Sequence, residues 1–162
     1  MNPIGKLRNM TSVYLTYKDK ILLLFRQGSR VVNNKWIGSA GGHFEPSELN
    51  DAYACAIREL REELGITDDM LEKIELRYLT IYNKPEELRQ NYYFFAETNH
   101  DLGFGPIGNM KWINFFDIPN MEIANGPRGI LRHYLDVGRS NNRVYCGVMK
   151  EKGVAISELE EF

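Results

Sequence analysis

A chain of 162 residues, 43% apolar and 26% charged, holds enough hydrophobic material for one core and is read as a single domain over residues 1–162. A formal net charge of −2 gives no general attraction to nucleic acid, so stable polymer binding is not expected, and no stretch is long enough to span a membrane. Two cysteines are too few for a disulfide framework and the opening MNPIGKLRNM lacks the apolar run of a signal peptide, so the expected compartment is the cytoplasm.

Residues 10–17 (MTSVYLTY) and 21–27 (ILLLFRQ) are rich in β-branched, apolar and aromatic side chains. Separated by Lys18-Asp19-Lys20, they predict two strands joined as a hairpin. Arg26, Arg30 and Lys35 then cluster before Trp36-Ile37. A solvated cation is the default reading of each, yet Arg26 and Lys35 are candidates to bind a phosphate chain if the fold sets them near an acidic site. Residues 36–42 predict a short strand ending at Gly41-Gly42, where bare backbone can come close to a metal ion or phosphate. His43, His100 and His133 have no second histidine or cysteine at a zinc spacing and are read as non-ligands.

The rest of the chain is organised around Gly41 to Ile66, GGHFEPSELNDAYACAIRELREELGI. Leu49, Tyr53, Ala56, Ile57, Leu60 and Leu64 recur at the helical period in one stripe roughly 100° wide, which predicts an amphipathic helix packed on a sheet. Asn50 or Ser47 is a candidate cap, Asp51 suits the first turn, and Gly65 stands where a left-handed residue ends a helix. Glu59, Glu62 and Glu63 fall at i, i+3 and i+4 and project from one side. Such a face is either ordinary solvated surface or a set of hard oxygen ligands, because Mg²⁺ or Mn²⁺ removes the repulsion among like charges. Cys55, in the same helix, reads as a small buried residue rather than a nucleophile, with no base paired to it in the sequence.

Beyond the helix, Asp68-Asp69 begins a loop or short turn and residues 73–82 (KIELRYLTIY) predict a strand. Lys84-Pro85-Glu86-Glu87 is a turn or loop, followed by a strand over 89–97 (RQNYYFFAE). Tyr92, Tyr93, Phe94 and Phe95 are read as sheet packing rather than a base-stacking platform. Gly103 to Gly108 (GFGPIG) is a loop that lacks the lysine and helix start of a phosphate-binding loop. Residues 110–115 (MKWINF) predict a strand closed by Asp117-Ile118-Pro119. Residues 126–137 (GPRGILRHYLDV) predict a second amphipathic helix ended by Gly138, with Asn125 as its cap and Pro127 in the first turn. Residues 144–149 (VYCGVM) predict one more strand, and 156–161 is short and acidic. Strands around two helices imply a mixed sheet packed between them, an α/β or α+β sandwich.

Arg58-Glu59-Leu60-Arg61-Glu62-Glu63-Leu64-Gly65-Ile66, preceded by Gly41-Gly42 and Glu48, resembles the Nudix box. That pattern is Gly, five residues, Glu, seven residues, then Arg-Glu-apolar-x-Glu-Glu-x-Gly-apolar. Every fixed residue is present, but nine residues rather than seven separate Glu48 from Arg58. Two added helical residues turn a position by roughly 200°, so either the loop absorbs them or Glu48 leaves its family position.

The resemblance covers about residues 10–138 and implies the Nudix fold, a mixed β-sheet between α-helices. It implies Mg²⁺-dependent hydrolysis, with Mn²⁺ as a substitute, of a nucleoside diphosphate linked to another group. Glu59, Glu62 and Glu63 would be the metal ligands, Arg58 would orient them, and the Gly41 carbonyl would add a ligand. Glu97 matches the place of a further glutamate in the family's mutator pyrophosphohydrolases, as ligand or base, with Glu86 or Glu87 as substitutes. Ala124-Asn125-Gly126-Pro127 is similar to their Ala-Asn-x-Pro segment, whose asparagine reads an oxidised purine, so Asn125 is either a base contact or only a helix cap. The activity implied first is a nucleoside triphosphate pyrophosphohydrolase acting on 8-oxo-dGTP, as a monomer or homodimer, with a small-molecule nucleotide as its partner. ADP-ribose, a dinucleoside polyphosphate or an RNA 5′ end are the alternative substrates. A nucleotide-sensing module or an isomerase are the alternatives of another class.

Overall fold

In the computed structural model, which describes residues 5–30, 32–99 and 109–160, the N-terminal hairpin forms as β1 (Lys6–Tyr17) and β2 (Lys20–Arg26). Tyr17 pairs with Lys20 across a two-residue loop, where Lys18 takes the positive φ of 53° that such a tight turn favours. β1 starts earlier than the sequence predicts, because Lys6 to Asn9 continue its ladder against Glu87 to Gln90. The third strand, β3 (Lys35–Ile37), is shorter than the expected 36–42. After Ile37 the chain leaves β2 and runs against β1, through bridges from Ala40 to Val13 and His43 to Met10. That switch lays Gly41-Gly42 along the edge of β1.

α1 (Ala52–Leu64) follows, then the long hairpin of β4 (Lys73–Lys84) and β5 (Glu87–Glu97). β6 (Met110–Asn114), α2 (Asn125–Asp136), β7 (Val144–Lys150) and β8 (Gly153–Leu159) complete the described elements. The sheet runs β3-β2-β1-β5-β4-β7-β8, with β6 also paired to β2. The β1–β5 and β4–β7 pairs are parallel and the others antiparallel, so the sheet is mixed as expected. β8 is the element the sequence does not announce. It is a half-exposed edge strand, without the apolar run that marks buried strands.

Strand alternation sets the layers. Val13 and Leu15 of β1 and Phe94 and Ala96 of β5 face α1, where Ala56 and Leu60 meet them. Tyr14, Tyr93 and Phe95 face the other way, onto Ile130 and Leu131 of α2. The aromatic run of β5 is therefore sheet packing, split between two cores. A helix on each face of a mixed sheet is the sandwich that the sequence predicts.

Several boundaries differ. Asp51, not Asn50 or Ser47, caps α1, its Oδ1 accepting from the Ala54 amide at 2.9 Å. The helix therefore begins at Ala52, and Leu49 and Tyr53 fall outside the buried stripe and are exposed. Gly65 ends α1 in the left-handed region, φ 67°, as expected. α2 begins at Asn125, with Ala124 at the cap position and no side-chain capping bond. Phe115 to Asn120 form a 3-10 segment after β6. Gly103 to Gly108 and His100 lie outside the described residues. Among the described residues, no helix is long and apolar enough to cross a membrane.

Candidate active site

Glu59, Glu62 and Glu63 leave α1 on the side of the Gly41-Gly42 segment. Glu59 is buried; Glu62 and Glu63 are exposed. A Cβ on Gly42 would collide with the Glu59 carboxylate, so a glycine is required where the backbone passes it. Gly41 has φ +152°, and a Cβ there would strike the Thr11 carbonyl. The Ala40 and Gly42 carbonyls accept from Val13 and Thr11 of β1. The Gly41 amide turns instead to α1 and donates to Glu63 Oε2 at 3.1 Å.

Arg58 organises the carboxylates. Its Nε and Nη2 donate to Glu48 Oε1 and Oε2 at 2.7 and 3.0 Å, and its Nη1 donates to Glu59 Oε1 at 2.8 Å and Glu62 Oε2 at 3.1 Å. Nη2 also donates to the His43 carbonyl at 3.0 Å. The two residues added to the box are thus absorbed ahead of the helix. Pro46 to Glu48 make one 3-10 turn, closed by the Glu45 amide donating to Glu48 Oε2 at 2.8 Å. Leu49 and Asn50 bridge to Asp51 outside the helix. Glu48 keeps its place in the cluster, buried against Arg58.

The charges follow this geometry. Hydrogen bonds from Arg58 hold the Glu48 carboxyl at about 2, below its ordinary 4.5, and the same bonds raise Arg58. Glu63 moves the other way: loss of surrounding water raises its carboxyl, and Glu59 and Glu62 add to the rise, against the Gly41 amide and Arg26. Cys55 is buried with Sγ 3.4 Å from Thr11 Oγ1, and burial pushes its thiol up to about 11. It is the inert packing residue expected.

Among the described residues, no three His, Cys, Asp or Glu side chains already converge as a closed cation cage. The donor set nevertheless suits a hard divalent ion. Arg58 engages one oxygen each of Glu59 and Glu62 and leaves the second oxygen of each, while Glu63 lies against Gly41. Glu48, with both oxygens on Arg58, is an anchor rather than a ligand. The raised Glu63 carboxyl fits as well: burial is the main cause of the rise, and a neighbouring cation offsets that cost together with the repulsion from Glu59 and Glu62.

A cavity of about 300 Å³ opens beside the carboxylates, with Glu63, Gly41 and Arg26 in its wall. Arg26 therefore meets the acidic site, as the sequence suggests. Lys35 is its Cα partner on β3 but is not part of that wall. Asn125 is exposed in the first turn of α2, between Ala124 and Pro127, which do line the cavity. It stands at the rim, and its expected role as a cap does not hold.

Glu97 is the clear correction. It ends β5 opposite Thr16, whereas Gly42 pairs with Thr11. Five residues of strand, about 17 Å, separate the two levels. The Glu97 charge bears instead on Tyr134 of α2. Glu87, a named substitute, pairs with Arg8 and Arg89. Among the other residues that line the cavity, the polar side chains of Ser12, Thr80, Arg89 and Asn91 escape sequence reading. Alternation along 89–97 puts Arg89 and Asn91 on the α2 face with Tyr93, but only strand pairing reveals that they line the cavity that Glu63 also borders. A separate cleft of about 1080 Å³ lies between the 115–120 segment and Arg128, Arg132 and Arg139, without any of the box residues.

Residues 6–134 match the family model described as the NUDIX domain. No curated protein matches the chain. Among solved structures, it is similar to a mutator MutT protein from Bacillus halodurans, at 22% identity and TM-score 0.66, over 96% of this chain and 99% of that one. It is also similar to the C. elegans Ap4A hydrolase, at 22% identity and TM-score 0.54, over 72% of this chain and 86% of the other. The NUDIX domain of Shewanella oneidensis NrtR, solved with ADP ribose, matches at 16% identity and TM-score 0.62, over 86% and 90% of the two chains. At such identities the likeness is one of fold, and fold does not choose among substrates.

Proposed function

Because the chain belongs to the Nudix family of hydrolases, we propose that it is a divalent-cation-dependent nucleoside triphosphate pyrophosphohydrolase, releasing a nucleoside monophosphate and pyrophosphate, with 8-oxo-dGTP its best single substrate. The observation that carries this reading is one juxtaposition. Glu63, Gly41 and Arg26 line one end of a cavity of about 300 Å³, and Glu59 and Glu62 adjoin them on α1. That volume is at the small end for ligand sites and suits one nucleoside.

A pyrophosphate is polyanionic and repels a nucleophile until its charge is offset. A bound Mg²⁺, or Mn²⁺ in its place, supplies that offset and acidifies water. Glu59, Glu62, Glu63 and the Gly41 carbonyl would hold the ion, and Arg58 fixes the first two carboxylates. Arg26 binds the phosphate chain where it leaves the cavity, and Asn125 touches the outer edge of the base. Water oxygen bonds to a phosphorus, the bridging P–O bond breaks, and pyrophosphate leaves with that electron pair. The water's proton passes to a carboxylate of the cluster.

A panel of nucleoside triphosphates, assayed for pyrophosphate release with Mg²⁺ and with chelator, tests the reading. Turnover that requires the metal and favours an oxidised purine is expected. Metal-independent turnover, or none on any nucleotide, would defeat it.

A further inference from the structure

The sheet face that packs against α2 is only partly covered. Tyr14, Tyr93 and Phe95 lie under Ile130 and Leu131, but the next row, Met10 beside Asn91 and Thr80, extends past the first turn of the helix. That turn sits directly above the junction, since a Cβ on Gly126 would lie 3.6 Å from the Tyr93 hydroxyl oxygen. That row, in which Thr80 is itself buried, forms the cavity floor, and Pro127 and Met149 wall it on the α2 side.

Asn91 is the one carboxamide among the described residues that line this cavity, and Glu63 is the one carboxylate. Met10, Tyr93, Pro127 and Met149 also line the cavity and suit a flat ring, while Arg89 is paired with Glu87. The carboxamide is held in place from its own sheet. Asn91 Nδ2 donates to Ser12 Oγ at 3.0 Å, and the Ser12 hydroxyl lies 3.4 Å from Asn91 Oδ1. A primary amide carries two N–H donors and two carbonyl lone pairs. Ser12 and the neighbouring Tyr93 hydroxyl hold part of this set, and a ligand edge completes it.

Position supplies the rest. The Gly41-Gly42 segment, β1 and β5 lie side by side, with Gly42 bonded to Thr11 and Asn91 level with Met10. Two strand spacings, about 10 Å, therefore separate the backbone beside the glutamates from that of Asn91. A nucleotide whose phosphates meet the glutamates reaches across this gap with its base. A bicyclic purine extends one ring farther than a pyrimidine and brings a donor and acceptor edge to the carboxamide. A pyrimidine leaves the amide unmatched, and an unmatched polar group at a recognition site is what rejects a substrate.

We infer that Asn91, oriented by Ser12 on the cavity floor, is the residue that selects a purine base, with Asn125 only a secondary contact at the rim. The inference rests on the nucleotide pyrophosphohydrolase reading and sharpens it. The test compares kcat and KM for purine and pyrimidine nucleoside triphosphates in the full chain and in Asn91→Leu and Asn91→Asp. Asn91→Leu is expected to lower kcat/KM for the best purine about 100-fold, mainly through KM. Asn91→Asp, nearly isosteric but without the amide donors, shifts the ranking among purines.

Titration of the wild-type protein with purine and pyrimidine nucleoside monophosphates, without metal, adds a readout that needs no turnover. The Asn91 side-chain amide resonances are expected to move with the purine only. A wild-type purine preference that survives both variants, or amide resonances that stay still while a purine binds, overturns the assignment. A wild type with no purine preference, or one that binds no nucleotide, also overturns it. Loss of turnover alone, with purine binding through Asn91 retained, instead counts against the hydrolase reading.

Discussion

Glu48 and Arg58 form a two-bond ion pair at 2.7 and 3.0 Å, although Glu48 lies outside the helix that carries Arg58. Their side chains are only 8% and 14% exposed. Removing Glu48 leaves Arg58 its Glu59 and Glu62 partners, so the cost is that of the lost charged hydrogen bonds rather than of a stranded charge. Glu48→Ala is accordingly expected to lower unfolding stability by about 2 kcal/mol, read from urea titration. It should also lower activity, because Arg58 is then free to leave Glu59 and Glu62. A change within the noise of the urea midpoint would show that the pair anchors nothing.

The same pair predicts a pH signature. Glu48 sits at about 2 when folded, against an ordinary 4.5. Its contribution to stability is complete above about 4.5 and is lost as pH falls toward about 2. Glu48→Gln has no such group, so the melting-temperature gap between the two proteins should close across that window. Glu63 has the opposite sign: its raised carboxyl favours the folded state below its ordinary 4.5, a contribution lost as pH rises through the folded value. Without divalent cation, Glu63→Gln should gain stability relative to wild type as pH rises through that value. Mg²⁺ should shrink the gain.

Glu62 and Glu63 are exposed, and neither supports a core. Glu62→Gln and Glu63→Gln are each expected to lower kcat by roughly 10²-fold or more while the fold persists. Metal-dependent kinetics alongside circular dichroism separate the outcomes. Near-wild-type rates in both variants would mark the acidic face as solvated surface. Unfolding would make the glutamates structural.

Local pattern made the central helix legible: apolar spacing, a terminal glycine and three glutamates are all written within one element. The sandwich of a mixed sheet between two helices followed from the number and kind of elements. What stayed hidden depends on pairing between distant segments. Glu97 matched a family position by its strand end, yet the parallel β1–β5 register sets it opposite Thr16. Asn91 joined the cavity through that same register, and nothing in its neighbours along the chain signals it. The displaced start of α1 had a local cause: Asp51 competed with Asn50 and Ser47 as cap, and its geometry with Ala54 won.

Gly42 offers a test of the close backbone approach. A Cβ there collides with the Glu59 carboxylate, which Arg58 also holds. Gly42→Ala should force that carboxylate to rotate out of the cluster. The expected result is a severalfold or larger fall in kcat with a rise in the Mg²⁺ concentration needed for half-maximal rate. An unchanged metal requirement would mean that Glu59 is not part of the ion site.

Asn125 decides between two readings of one segment. As a cap, its loss would cost roughly 1 kcal/mol. The structure sets Ala124 at the cap position with no side-chain bond, and Asn125 is the first helical residue, exposed. Asn125→Ala is therefore expected to leave the melting temperature nearly unchanged, since alanine is the better helix former. Ala124 and Pro127 on either side line the cavity, and the proposed recognition role would set Asn125 against the outer edge of a bound base. The variant should raise KM for the preferred nucleotide a fewfold and leave kcat near wild type, because the glutamate cluster is untouched. A drop in stability with unaltered KM would restore the capping role and remove Asn125 from recognition.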